Sequence, residues 1–155
     1  LSVSAHIEPR GNAMSYKQWN ALIMVTSALV ISAWVGWGLA SEGPPADASA
    51  GAWQMLWAIL YVIVFNVVAS IVVTIVVSIV QREELVDEAG DERDLAVNSR
   101  SMRNGYTVLS VATAGVIAAL ALGLDTVLVP HVLFGISMLA GGVFAASQLV
   151  YYRIG

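Results

Sequence analysis

The sequence predicts an all-α integral membrane fold: a four-helix bundle of two transmembrane hairpins, with spans two and three extended into a cytoplasmic helical hairpin. Three observations carry this. The 155-residue chain is 58% hydrophobic and 12% charged, where a soluble domain is about 45–50% apolar and about 25% charged. Much of its surface must therefore face something other than water. Four segments reach the length needed to cross a hydrocarbon core, about 20 apolar residues rising about 1.5 Å each. With four spans, every Lys and Arg falls on one side of the bilayer.

Residues 1–13 stand apart: they are mixed in character, contain Pro9 and Gly11, and precede Met14-Ser15-Tyr16-Lys17, which reads as a natural start. They are expected to be a leader or tag-like extension, and residues 14–155 a single four-span domain.

Span one is expected over about residues 19–40. Gly38-Leu39-Ala40 mimics a signal cleavage site, but the apolar run exceeds the about 7–15 residues of a signal-peptide core. Ala28, Ser32, Gly36 and Ala40 recur at every fourth position, as helix-packing rows do. The connector Ser41 to Asp47 holds Pro44 and Pro45, which cannot continue a helix.

Span two, over about residues 52–80, is rich in Val and Ile but carries Asn66, Ser70, Thr74 and Ser78. This row drifts only about 40° per step and forms one polar stripe. Two readings stand for it: hydrogen-bonding glue between helices, or a hydrophilic path for an ion or small solute. A path usually also carries an intramembrane ionisable residue, and no apolar stretch here contains Asp, Glu, Lys or Arg. His131, after Pro130 at the outer mouth of span four, reads as an interfacial residue.

The loop 81–104 holds seven of the eleven acidic residues and four of the seven basic ones. Residues 82–89 favour helix, Gly90 suits a helix stop, and Asp91 suits an N-cap with Glu92 and Asp94 in the first turn. Both flanking spans should thus protrude about 15 Å as helical arms of about ten residues. Glu84, Asp87, Glu88 and Asp91 share one face, and Arg93, Arg100 and Arg103 another. The arms could simply trade salt bridges. Alternatively, the four carboxylates contact a cytoplasmic protein partner or a divalent cation, while Arg100 and Arg103 meet anionic lipid. The carboxylates lack the ordered spacing of a calcium loop.

Span three is expected over about residues 106–124, with Gly115, Ala119 and Gly123 in a row. A tight connection follows at Gly123 to Thr126. Span four, over about residues 127–152, carries Ser137, Gly141 and Ala145. That row is the expected packing surface against a second subunit, because four spans offer few helices to cover so many small-residue faces.

Orientation follows from Arg10, Lys17, Arg82, Arg93, Arg100, Arg103 and Arg153, which predict both termini inside; the loops 41–51 and 123–130 have no Lys or Arg. Asp91-Glu92-Arg93-Asp94, followed by Arg100 and a third span led by Tyr106, resembles an uncharacterised family of small prokaryotic four-span membrane proteins. Their central cytoplasmic loop carries a similar D-E-R motif. The resemblance implies this architecture and a prokaryotic inner-membrane location, and no chemistry.

The chain has no cysteine, which excludes disulfides and thiolate chemistry. The net charge of −4 offers no basic footprint for nucleic acid. Phosphate-loop, dinucleotide, zinc-protease and serine-hydrolase motifs are missing, so neither an enzyme nor a cofactor is expected. The leading expectation is a structural or regulatory membrane protein acting through homo-oligomers or a docked cytoplasmic partner. A small transporter or channel subunit and a divalent-cation-responsive protein are the alternatives.

Overall fold

Helix α1 (Tyr16–Glu42) starts at a capping box. The Ser15 hydroxyl accepts from the Gln18 amide at 3.4 Å, and the Gln18 side chain accepts from the Ser15 amide at 2.9 Å, satisfying two amides that a helix start leaves orphaned. These polar residues carry no hydropathy signal, so the helix begins three residues before the expected span. It ends at Gly43, where φ is 81° and the amide reaches back to the Leu39 carbonyl at 3.2 Å. In this computed structural model, residues 14–81 and 92–154 are described, and every regular element among them is helical.

Helix α2 (Ala48–Gln81) is opened by Asp47, whose carboxylate accepts from the Ala50 amide at 2.8 Å. Helix α3 (Glu92–Ala121) has Glu92 and Asp94 in its first turn, as the helix dipole favours. Its other end is a Schellman turn: Leu124 N–H bonds the Ala119 carbonyl at 2.9 Å and Gly123 N–H the Leu120 carbonyl at 3.1 Å. Gly123 has a φ of 97° and open space where a side chain would stand. It terminates a helix rather than packing one, contrary to the row expected on span three. Asp125 then caps a short 3₁₀ turn, Thr126–Leu128, which leads into helix α4 (Val129–Ile154) with Pro130 in its first turn.

All four helices are long and apolar enough to cross a membrane, and the chain is a multi-pass membrane protein. From Ile59 to Val76, α2 buries no residue inside the chain, as befits a face turned to lipid.

Helix α4 is the hub. It packs against α1, α2 and α3, and α1 also packs against α2, whereas α2 and α3 make no more than marginal contact. A tight crossing joins α3 to α4 at Gly105, where an added Cβ would stand 3.0 Å from the Ala140 carbonyl oxygen and 3.1 Å from Phe144 Cβ. At the opposite end Met55, Ala58 and Phe134 form a small core, flanked by Ile31, Val35, Val62 and Met138. Gly142 faces Ala28 across the α1–α4 contact.

Three sides of α4 are therefore committed. Ala140 and Phe144 face α3, Phe134 faces α2, and Gly142 faces α1. At about 100° per residue, Ser137 and Gly141 fall between the α3 and α2 sides. Ser137 is exposed and its hydroxyl turns to its own Leu133 carbonyl at 2.9 Å. No atom lies within 4 Å of a Cβ added at Gly141. These two residues form the floor of a groove left open because α2 and α3 do not close on each other.

Candidate functional site

Lys17, Asp94 and Tyr152 come from three different helices and meet at one end of the bundle. Asp94 is held on both carboxylate oxygens: Lys17 pairs with Oδ2, and the Tyr152 hydroxyl donates to Oδ1 at 2.9 Å. Arg93, one residue earlier, donates to the Tyr152 carbonyl at 3.2 Å. That satisfies one of the carbonyls orphaned at the end of α4. One turn further along α3, the Asn98 side-chain oxygen accepts from Gln148 at 3.2 Å. Beyond it, Asn104 donates to Ser147 at 3.1 Å and to the Tyr151 hydroxyl at 3.2 Å.

The polar half of α3 is thus clasped along its length to the C-terminal turns of α4 and, through Lys17, to the start of α1. Its described partners lie on α1 and α4, and α4 is the helix on which α3 packs. An open hollow lies over the clasp, lined by Tyr16, Lys17, Asn20, Asp94, Asn98 and Gln148 among others. The Lys17 and Asp94 side chains are 28% and 24% exposed, so water screens their attraction. The arrangement positions helices and presents amides, a lysine and a phenol to the interface.

Beneath the clasp, Ser101 is fully buried beside Gly105, and its hydroxyl has no hydrogen-bond partner. Sequence reasoning placed Ser101 in the charged loop 81–104 and left Gly105 between that loop and the span expected from residue 106, and so missed both. The signal was present as another pair of small residues four apart, masked by Arg100, Arg103 and Asn104 between and beside them.

Of the polar stripe, Asn66 reaches across the bundle. Its amide donates to Ser27 Oγ at 3.0 Å and to its own-helix Val62 carbonyl at 2.8 Å. Ser27 is buried and lies close to Asn66 Oδ1 and the Met24 carbonyl as well. The Thr74 hydroxyl turns back to the Ser70 carbonyl at 2.7 Å, and Ser70 and Ser78 are half-buried. The row on span four expected to meet a second subunit divides: Ala145 is fully buried inside the chain, while Ser137 and Gly141 line the open groove.

Arg100 and Arg103 are both exposed on α3, and Arg103 borders a shallow hollow with Leu95, Met102 and Tyr106. Glu84, Asp87, Glu88 and Asp91, the carboxylates expected to meet a partner or cation, lie outside the described residues. Among the described residues, no group of three or more His, Asp or Glu side chains converges to hold a metal ion. No protein-family model, curated protein or solved structure gives a significant match to the chain.

Proposed function

We propose that this multi-pass membrane protein is non-enzymatic, structural or regulatory in kind, and works as a homo-oligomer whose subunits meet along the groove between α2 and α3. The observation that carries the proposal is the groove floor. Ser137 and Gly141 lie between two committed faces of α4 with nothing of this chain upon them. Membrane helices gain no hydrophobic advantage from leaving lipid, so close backbone approach over small residues is a chief source of their association. A groove with such a floor and apolar flanks suits a helix from a second copy.

The one-sided distribution of Lys and Arg supports an orientation with both termini and residues 82–91 on the cytoplasmic side. In that orientation Arg100 and Arg103 lie at the inner interface, where anionic headgroups are attracted by about 1 kcal/mol per basic residue. Glu84, Asp87, Glu88 and Asp91 would offer a docking face to a cytoplasmic partner.

The cysteine-free sequence makes a clean test possible. Ser137→Cys should be captured as a covalent dimer in native membranes by a short bismaleimide. Leu139→Cys, exposed on a different side of α4, should stay monomeric. Equal capture at the two positions, or none at Ser137, would count against the groove.

A further inference from the structure

At the end opposite the clasp, the last turns of α1, the start of α2 and the first turn of α4 surround a cavity of about 170 Å³. Trp34, Val35, Glu42, Gln54, Met55 and His131 contribute to its wall. Val35 and Met55 belong to the apolar core below, so the floor is greasy and the polar groups stand around it. The size is close to the about 150 Å³ of an engineered cavity that takes up benzene, and well below the about 300–1,000 Å³ of drug-sized sites. A compact molecule fits.

Three further features define the chemistry. His131 places an imidazole in the cavity wall. The ring is also backed by α2: a Cβ added at Gly51 would stand 3.5 Å from His131 Cε1. The charges at this end among the described residues are Glu42, Asp47 and Asp125, with no Lys or Arg. Glu42 also sits at the C-terminus of α1, where the helix dipole adds negative potential. Trp34 supplies an indole, the ring that best attracts a cation to its face.

We propose that this cavity binds a small hydroxyl-bearing organic cation of the choline class. The ammonium group lies toward Glu42 and Trp34, and the hydroxyl meets the His131 imidazole. The same chemistry occurs as a free solute and, with the hydroxyl esterified, as a phospholipid headgroup. The site is independent of the α2–α3 groove and of the self-association proposed there.

The full chain in phosphatidylglycerol nanodiscs, titrated calorimetrically with choline chloride, tests the site. Choline should give saturable heat, and its neutral isostere 3,3-dimethylbutan-1-ol should not. Glu42 is exposed, so Glu42→Gln should keep the helix content while weakening choline about tenfold or more, as loss of a charge-assisted contact does. His131→Phe should weaken choline yet leave tetramethylammonium, which lacks the hydroxyl, unchanged. Suppression of choline binding in phosphatidylcholine nanodiscs supports the site with a headgroup as occupant, and unchanged binding supports it with a free solute. No heat with choline, equal heat with the isostere, or unchanged binding to Glu42→Gln overturns the proposal.

Discussion

Gly105 is the residue on which the α3–α4 contact turns. With the Ala140 carbonyl 3.0 Å and Phe144 Cβ 3.1 Å from where its side chain would begin, even a methyl group forces backbone apart. Overpacking of a close contact costs about 1–3 kcal/mol, so Gly105→Ala should lower the thermal midpoint and Gly105→Leu more so. If Gly105→Leu unfolds at the wild-type temperature, the crossing is not there. Asn66 calls for a subtler measurement. Hydrogen bonds between membrane helices average about 0.6 kcal/mol by double-mutant cycles. A cycle of Asn66→Ala with Ser27→Ala should return a coupling of that order, and zero coupling would remove the bond between α1 and α2. The sequence made Asn66 visible, because an amide inside a Val/Ile run is conspicuous. Its partner was not, since a serine in a helix carries no sign of which neighbour it will meet. Gly105 was hidden for a different reason: it sits where hydropathy falls, and packing was sought only inside the apolar runs.

Among the helices, α3 departs most from its expected part. Hydropathy located all four helices, because lipid imposes a length and an apolar composition that few other environments require. It could not locate their ends, which capping residues set: Ser15 with Gln18, Asp47, and Gly123 with its Schellman turn. Nor could it show that the charged half of α3 would be clasped to α4 and α1. Partner choice depends on which helices are adjacent, and adjacency is not written in any one segment. The clasp has a limited energetic role. A water-screened ion pair contributes about 1 kcal/mol or less, so Asp94→Ala should shift global unfolding only slightly. It should act locally instead, speeding amide exchange in the first turns of α1 and the last turn of α4. A large global loss of stability would mean that Asp94 does more than align these ends.

In the whole molecule, a hub helix carries three neighbours and is left uncovered between α2 and α3. Composition and periodicity foretold a bundle with rows of small residues, and the row at Ser137, Gly141 and Ala145 was read as a single surface. The structure splits it, with Ala145 spent inside the chain and Gly141 left over open space. A helix that drifts about 40° every four residues carries such a row from one face toward another, which the one-dimensional pattern conceals. The split gives Gly141 a diagnostic value that Gly105 lacks, since a Cβ there has no atom of the subunit within 4 Å. The decisive measurement is therefore the mass of the assembly, by native mass spectrometry from lipid nanodiscs, for the wild type and Gly141→Leu. The wild type should appear at a multiple of the single-chain mass, and Gly141→Leu at the single-chain mass with unchanged helix content. A wild type that is monomeric across several lipid compositions, or a Gly141→Leu variant that assembles as the wild type does, contradicts self-association through the groove.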